Sequence, residues 1–470
     1  MKKTLIRNAK AVVTCDAADS VLHDVDILVF DGKIAEIGMD IVCDDCDIID
    51  AHDMFVYPGL INTHHHFFQA FVRNLMSLDV INMTLVEWLD AAYRIFYRID
   101  ADVIYYASLT AMADLIKHGC TCTFDHQYCY TPFTGTAAID RQMEAAELLG
   151  MRFHAGRGTN TLPRSKGSTM PDEMCETTDD YLKDCERLIQ KYHDPEPFSM
   201  RRIVMAPCQP INCFRETFTE TVKMARKHHV FMHTHIGEGE NEEMVARWGK
   251  RSVEWCQNAG FVGPDVWFAH CYELQPDEYH IMASTGTSIA HCPVPMALCG
   301  RRILNLKEVC GAGINVSLAV DGCSGNDGSS MLDTMRVGFL LQTLYSITRG
   351  GCVSPYDILK MSAVNGAKVL GRPELGSLEV GKAADLFMID MGKLELAGTL
   401  HDPKSLLPRV GVTGDVALTM INGKIVFKDG HLTSVDERKL AEEGEKVCTR
   451  VLREPCHNAF YYRAARWRQP

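Results

Sequence analysis

The chain has 470 residues, of which 46% are hydrophobic and 23% charged, and its formal net charge is −13. An acidic chain of this ordinary globular composition is a poor binder of nucleic acid and other polyanions. No apolar run approaches the roughly 18 residues of a membrane-spanning helix, and charged residues interrupt the first apolar stretch before a signal-peptide core can form. We therefore expect a cytoplasmic protein without a membrane or nucleic-acid partner.

Both ends of the chain alternate apolar and polar residues in the way that is typical of short antiparallel strands. Residues 1–57 contain three such stretches. The same alternation occurs over residues 371–435, where NGKI at 422–425 is similar to DGKI at 31–34. The pattern predicts two β-rich segments on either side of a different middle region. Residues 436–470 are predicted to form a helical tail, packed against the rest of the chain or against a neighbouring subunit.

Residues 58–370 alternate short apolar runs with longer amphipathic stretches, which is typical of a parallel β/α architecture. Polar residues recur where several of the apolar runs end. A closed barrel collects all its strand ends on one face, so this recurrence favours an eight-stranded (β/α)8 barrel over an open sheet. The apolar runs are residues 121–126, 151–158, 201–207, 230–238, 265–271, 287–293 and 314–322.

Three consecutive histidines end the apolar run that opens this middle region. Side chains at positions i and i+2 of a strand point the same way, so His64 and His66 can face one centre while His65 turns aside. Neutral imidazole is a good zinc ligand. Histidine pairs also occur in ordinary cores, so this pair alone indicates only a candidate site.

Later apolar runs end in side chains of the same chemistry. One run ends with His233, His235 and Glu238, the next with His270, and a later one with Asp321. Three imidazoles and one carboxylate can form a metal sphere, which leaves Glu238 and His270 for acid–base work. The recurrence at four strand ends predicts a metal-dependent active site.

These motifs, in this order, resemble those of the amidohydrolase superfamily, and within it the cytosine-deaminase-like branch. The segments that carry the resemblance are HHHFFQ, HTHIGE, FAHC, AHCP and VDGCSGND. Further segments, among them GCTCTFDHQY, MRFHAGRG and LGSLEVGKAADL, are similar to the group of 8-oxoguanine deaminases and hydroxyatrazine ethylaminohydrolases. The resemblance covers the chain from Lys3 to about His431.

The resemblance implies an α/β fold, a distorted TIM-like (β/α)8 barrel with a composite β-sandwich built from both chain ends. Residues 1–57 and 371–435 would form the sandwich, and residues 58–370 the barrel. The implied metal ligands are His64, His66, His235 and Asp321. The implied catalytic residues are Glu238 as the proton carrier, His270 as the polarising residue, and Asp321, which exchanges protons with the attacking water and the leaving amine.

The number of metal ions is also predicted from this resemblance. Superfamily members with two metals bridge them with a carboxylated Lys or a Glu at the end of the fourth barrel strand. Here that strand ends with Cys208 and Gln209. We therefore expect one divalent metal ion, Zn²⁺, with Fe²⁺ as the alternative.

Several side chains near these motifs have the chemistry to bind a planar ring. Phe67, Phe68 and Trp88 can stack on a heterocycle, although core packing explains them equally well. An arginine fork matches a ring oxygen, which favours Arg157 as a binding residue. The predicted substrate-binding residues are Gln69, Trp88, His126, Arg157 and His270.

The sequence departs from the group's usual pattern where the substrate binds. Pro295 and Met296 replace a Ser-Asn pair, Tyr272 and Glu273 follow His270 where a second histidine is common, and Cys323 replaces a small Ser. We expect a small heterocyclic substrate, with deamination of 8-oxoguanine to urate and ammonia as the first choice. The alternatives are deamination of isocytosine, guanine or a pterin, and removal of an amine from a hydroxytriazine. We also expect a homo-oligomer.

Overall fold

The computed structural model describes residues 3–74, 84–348 and 350–452. The N-terminal segment folds into short strands joined by tight turns. Asp31, in one of these turns, has a positive φ of 52°, a conformation that Asp and Asn tolerate better than most residues. The strands are β1 (Lys3–Ala9), β2 (Ala11–Val13), β3 (Val21–Leu22), β4 (Val25–Phe30), β5 (Lys33–Gly38), β6 (Cys46–Asp50) and β7 (Met54–Pro58).

Eight parallel strands follow, and each pairs with the next one in chain order. They are β8 (Leu60–Asn62), β9 (Cys120–Gln127), β10 (Arg152–Thr159), β11 (Arg201–Pro207), β12 (Phe231–Ile236), β13 (Val266–His270), β14 (Ser288–His291) and β15 (Val316–Leu318). The residues that follow β15 return to β8. The backbone N–H of Val320 donates to Oδ1 of Asn62 at 3.0 Å, and that of Asp321 donates to the carbonyl of His64 at 3.0 Å. These bonds bring the first and last strands together, and the predicted barrel is confirmed.

Helices connect the barrel strands and extend beyond them. Several begin at side-chain caps, as α1 does at Thr84 and Glu87, which form a capping box. The helices are α1 (Leu85–Phe96), α2 (Ala101–Lys117), α3 (Ala138–Leu149), α4 (Thr178–Tyr192), α5 (Arg215–His228), α6 (Asn241–Trp248), α7 (Ser252–Asn258), α8 (Pro276–Thr285), α9 (Pro293–Leu298), α10 (Leu306–Gly311), α11 (Cys323–Asn326), α12 (Met331–Leu344), α13 (Pro355–Met361), α14 (Val364–Val369) and α15 (Glu437–Leu452). Within the described ranges, none of these helices is long and apolar enough to cross a membrane.

The C-terminal strands complete the sheet that the N-terminal strands begin. They are β16 (Leu386–Asp390), β17 (Leu418–Ile421), β18 (Lys424–Lys428) and β19 (His431–Leu432). Strand β16 pairs antiparallel with β7, giving a sheet with the order β19-β18-β17-β16-β7-β2-β3, beside a second sheet with the order β5-β4-β1-β6. Buried Ile6 and Ile27 of one sheet pack with Val56, Leu386 and Met420 of the other. The composite sandwich is therefore also confirmed.

A buried ion pair joins the barrel to the sandwich. Arg152 begins β10, and its guanidinium donates to both carboxylate oxygens of Asp385, at 2.9 and 3.0 Å. The two side chains are 0% and 3% exposed. Paired donors and acceptors of this kind satisfy charges that burial would otherwise leave uncompensated.

The predicted helical tail is described only in part. Helix α15 packs against α2, and the thiol of Cys448 donates to the carbonyl of Phe71. Residues 453–470, which include the aromatic and basic end of the predicted tail, lie outside the described residues.

Candidate metal centre and active-site pocket

Four side chains from three separate parts of the barrel meet at the carboxyl ends of its strands. Nε2 of His64 lies 3.2 Å from Oδ1 of Asp321, and Nε2 of His66 lies 3.5 Å from the same oxygen. Nε2 of His66 also lies 3.1 Å from Nε2 of His235. All four residues are buried. The structure therefore brings together the four residues that the sequence suggested as ligands.

Backbone carbonyls determine which ring nitrogen of two of these histidines carries the proton. Nδ1 of His66 lies 2.8 Å from the carbonyl of His126, and Nδ1 of His235 lies 2.8 Å from that of Cys208. Because a carbonyl only accepts hydrogen bonds, each Nδ1 must carry the hydrogen. The Nε2 lone pairs of His66 and His235 are therefore free to bind a cation.

His64 is oriented in the same way, through a second histidine. Its Nδ1 lies 2.9 Å from Nε2 of His233, and Nδ1 of His233 lies 3.0 Å from the carbonyl of Trp267. His233 must donate to this carbonyl, so its Nε2 accepts from His64. Nε2 of His64 is then unprotonated, and it makes no hydrogen bond with any described residue.

The donor set fits a divalent metal ion. Burial lowers the pKa values of His64, His66 and His235, which keeps these imidazoles neutral. Burial opposes ionisation of Asp321, but His270, His66 and the Gly322 N–H together hold the pKa of this carboxyl below its usual value. Unprotonated nitrogens this close to one another and to a carboxylate repel unless a cation lies among them.

The backbone at two of the strand ends adopts an uncommon conformation. His270 and Asp321 have φ values of 72° and 67°, in the left-handed region that non-glycine residues rarely occupy. Such conformations cost of order 1–3 kcal/mol each and persist where surrounding structure enforces them. Here the two backbone turns, one at His270 and one at Asp321, bring these side chains together. Nδ1 of His270 lies 3.9 Å from Oδ2 of Asp321.

Glu238 lies beside this cluster, on the loop that follows β12. Its Oε2 accepts a hydrogen bond from Nε2 of Gln209 at 2.8 Å, and its Oε1 lies 3.6 Å from Nε2 of His270. Burial, reinforced by the negative charges of Asp321 and Glu240, raises the pKa of Glu238 well above its usual value. A carboxyl group in this state can donate a proton near neutral pH.

A pocket opens over the four proposed metal ligands and Glu238, and several predicted binding residues line it. Gln69, Trp88 and His270 are in the lining, while His126 and Arg157 are not among its described residues. Nε2 of His126 instead faces the carbonyl of Ala206 at 2.7 Å, and its ring stacks on that of His235.

Arg157 is separated from the pocket by its own partners. Its guanidinium is bonded to the carboxylates of Asp184 and Glu176 and to the carbonyl of Gly158, and its plane lies 3.7 Å from the ring centre of Tyr130. These contacts occupy the fork that would otherwise bind a ring oxygen. The geometry contradicts the prediction that Arg157 contacts the substrate.

Two residues for which the sequence left ring stacking and core packing open belong to the core. Phe67 and Phe68 are fully buried. Phe67 packs on Phe153, and Phe68 packs on Phe96 and Tyr128. Of the two alternatives that the sequence left open, these contacts favour core packing for both residues.

Comparison with known proteins identifies this arrangement. Residues 55–426 match the sequence pattern of the amidohydrolase family. The chain belongs to this family. This membership confirms the prediction that the chain is a hydrolytic enzyme.

The relatives of this amidohydrolase act on nitrogen heterocycles, according to their names. Hydroxydechloroatrazine ethylaminohydrolase of Pseudomonas sp. (strain ADP) is 46% identical over 463 residues, which cover 96% of each chain. The 8-oxoguanine deaminase of Pseudomonas aeruginosa is 33% identical over 413 residues, or 87% of this amidohydrolase and 90% of the relative. The crystal structure of atrazine chlorohydrolase TrzN from Arthrobacter aurescens TC1, complexed with zinc, has a TM-score of 0.90 at 28% identity and covers 95% of this amidohydrolase and 100% of that chain.

The pocket of this amidohydrolase also contains residues that sequence reasoning did not select. They include three tyrosines, an arginine and an apolar wall from α1 and α9. The sequence contained part of the information needed to find them, because it departs from related enzymes at Tyr272, Pro295 and Met296. These additional lining residues are Leu85, Leu89, Tyr93, Tyr128, Tyr272, Pro295, Met296 and Arg301.

Gln209 has a role that its position at a strand end did not reveal. It follows β11, lines the pocket and donates to Glu238. The neighbouring Cys208 supplies its carbonyl to His235, while burial raises the pKa of its thiol well above the usual value. Neither side chain at this strand end provides a bridging carboxylate, in agreement with a single metal ion.

Proposed function

We propose that this amidohydrolase uses one zinc ion to remove an amine from a planar, oxo-substituted nitrogen heterocycle. The observation that carries the proposal is the convergence of three imidazole Nε2 atoms and one carboxylate beside a protonatable glutamate, at the floor of a pocket. We propose His64, His66, His235 and Asp321 as the ligands. Zinc is favoured because nitrogen and oxygen ligands suit it and because a related structure is described as complexed with zinc.

His64, His66, His235 and Asp321 would hold the metal ion, and the chemistry it would supply is the nucleophile. A bound divalent ion would lower the pKa of a water molecule from about 16 toward about 7, so that hydroxide is available at neutral pH. The residues around it carry the remaining proton transfers.

Glu238 protonates the ring nitrogen next to the carbon under attack. Its raised pKa keeps a proton available, and Gln209 fixes Oε2 so that Oε1 faces His270. Protonation of this nitrogen lets the carbon become tetrahedral without forming an unshielded negative charge.

Asp321 accepts the proton that remains on the attacking hydroxide and delivers it to the leaving amine, and the proton that the water lost on forming hydroxide restores Glu238 to its protonated state. The carbon–oxygen bond forms and the carbon–nitrogen bond breaks, so the amine departs neutral while the ring carbon becomes a carbonyl. His270 lies within 4 Å of both acids, at 3.9 Å from Asp321 and 3.6 Å from Glu238. From there it can hydrogen-bond the attacking oxygen and polarise the bond that breaks.

We propose an alkylamino-hydroxytriazine as the first substrate to test. Leu85, Trp88 and Leu89 of α1, together with Pro295 and Met296 of α9, give the pocket an apolar wall that suits an N-alkyl group. The ethylaminohydrolase relative is also much more similar in sequence than the 8-oxoguanine deaminase, at 46% against 33% identity. The hydroxytriazine was an alternative in the sequence-based prediction, and it now comes before 8-oxoguanine.

The polar side of the pocket keeps 8-oxoguanine as the second candidate. Gln69 lines the pocket, where its Oε1 accepts from the N–H and O–H of Ser324. Arg301 also lines the pocket, within electrostatic range of Glu238 and Tyr272. We propose that Arg301 contacts the ring oxygen, the task that the sequence had suggested for Arg157.

A substrate panel tests this function. Metal-replete protein would be incubated with an N-ethylamino-hydroxytriazine, 8-oxoguanine, guanine, isocytosine and a pterin, and released ethylamine and ammonia would be measured separately. Ethylamine release supports the first substrate, and ammonia from 8-oxoguanine supports the second. Release from neither class of compound would contradict the proposal.

We also propose that the protein is a cytoplasmic homo-oligomer. Leu340 and Leu344 near the end of α12, and Ile347 just after it, are 46%, 70% and 95% exposed. Neighbouring exposed apolar side chains are typical of protein–protein contacts. Light scattering coupled to size-exclusion chromatography measures the mass directly, and a value near 53 kDa would contradict an oligomer.

A further inference from the structure

The chain turns back on itself immediately after β12. Gly237 and Gly239 have φ values of 64° and 124°, conformations that glycine adopts without steric cost. A Cβ atom on Gly237 would also lie 3.3 Å from the backbone of Cys271. The turn brings the side chain of Glu240 next to the backbone N–H groups of Gly237 and Glu238.

The carboxyl group of Glu240 binds two successive backbone amides. The N–H of Gly237 donates to Oε1 at 2.6 Å, and the N–H of Glu238 donates to Oε2 at 2.8 Å. A third donor, the hydroxyl of Ser252, reaches Oε1 at 2.5 Å. Glu240 is only 1% exposed, so these bonds replace the water that an exposed carboxylate would bind.

The other side of Glu238 is held by a different residue. The hydroxyl of Tyr272 donates to the backbone carbonyl of Glu238. The peptide groups before and after Glu238 are therefore both bonded to the surrounding protein. Its side chain remains the movable part, with Gln209 and His270 next to its two oxygens.

We propose that Glu240 is a positioning residue, which holds the backbone of Glu238 so that its carboxyl group stays within reach of the reacting nitrogen. The inference rests on the proton-transfer role of Glu238 in the proposed function. A displacement of about 1 Å at a reacting group can cost about 100-fold in rate. The buried hydrogen bonds to Glu240 oppose such a displacement directly.

The Glu240→Gln variant tests this role. The amide keeps the size of the side chain, but its NH2 group replaces one acceptor and faces a backbone donor. We expect kcat to fall about 10- to 100-fold while KM changes less than about 3-fold and the metal content stays at one ion per chain. Glu242→Gln is the matched control, since Glu242 is an exposed residue of the same helix start and should leave all three quantities unchanged.

Hydrogen exchange provides a readout that does not depend on turnover. In Glu240→Gln the amides of residues 236–244 should exchange faster, as measured by mass spectrometry of peptides, while the Glu242→Gln protein should match the wild type. Ser252→Ala removes one donor to Glu240 and should lower kcat in the same direction by a smaller factor, about 2- to 10-fold. This variant keeps the test available if Glu240→Gln does not fold.

Each outcome decides for or against the inference. Unchanged exchange in folded Glu240→Gln would overturn it, as would normal kcat or a loss of metal in proportion to the loss of rate. If the wild type acts on none of the test substrates, the proposed function fails, and faster exchange in Glu240→Gln would then still support the backbone contact. If the wild type is active, faster exchange and a lower kcat at unchanged KM in Glu240→Gln support both the proposed function and the positioning role of Glu240.

Discussion

Nδ1 of His64 lies 2.9 Å from Nε2 of His233, which joins the segment after β8 to β12 across the barrel. The carbonyl of Trp267 fixes the proton on the far side of His233. The contact therefore selects the tautomer of His64 whose Nε2 faces Asp321. A histidine outside the proposed ligand set therefore decides which nitrogen of His64 faces the other proposed ligands.

Replacement of His233 by Ala should weaken metal binding without removing a ligand. We expect about 10- to 100-fold lower affinity, the usual cost of losing a partner that orients a metal-binding histidine. His233→Gln should recover part of the loss, because its Oε1 can accept from His64. Competition with a chromogenic chelator measures the affinity, and His431→Ala, at an exposed histidine of β19, is the control. Unchanged affinity in His233→Ala would contradict the role.

Glu238→Gln and His64→Ala should separate catalysis from metal binding. Gln keeps the shape of Glu238 but cannot transfer its proton, so kcat should fall about 100- to 10,000-fold at full metal content. His64→Ala should lose metal and activity together. Elemental analysis and steady-state kinetics on both variants check this pair. Loss of metal from Glu238→Gln would instead make Glu238 a ligand.

Arg301→Gln should impair substrate binding more than it impairs the chemical steps. If Arg301 contacts the ring oxygen, loss of its charged hydrogen bond should raise KM about 10- to 100-fold with a smaller change in kcat. Arg302→Gln, at the neighbouring exposed arginine, is the matched control. Kinetics on the hydroxytriazine and on an analogue without the hydroxyl group provide the measurement. Equal effects of the substitution on both compounds would argue against contact with the oxygen.

Asp125 gives the protein a predicted pH dependence of stability. This buried carboxyl group accepts hydrogen bonds from the N–H of Phe67 at 2.5 Å and from Nε2 of Gln142 at 2.7 Å. Burial raises the pKa of Asp125 from 3.8 to about 8. Between these values the folded state binds more protons than the unfolded state, so this group lowers stability as pH rises.

Asp125→Asn should remove that dependence, because the amide stays neutral. The difference in free energy of unfolding, variant minus wild type, should increase by about 2 kcal/mol or more as the pH rises from 5.5 to 8.5. Urea unfolding of both metal-free proteins at three pH values measures the difference. A constant difference would mean that Asp125 is ionised throughout.

The sequence alone predicted the family, the barrel and the candidate metal ligands. This was possible because a strand has a two-residue repeat and a parallel barrel gathers its strand ends on one face. His64, His66, His235 and Asp321 each stand at such an end, but so do His233 and His270. The choice among these side chains came from the resemblance to the amidohydrolase motifs, and it required no knowledge of which strands are neighbours.

Only the tertiary structure decided which side chains face the substrate. Arg157 lies in a wholly buried strand, where alternation cannot show which face is inside, and its carboxylate partners lie 19 and 27 residues further along the chain. Arg301 and Tyr272 reach the pocket from loops whose paths depend on packing. The contact of His64 with His233 spans 169 residues. Ligand positions follow from strand geometry, whereas pocket contacts follow from the packing of segments distant in sequence.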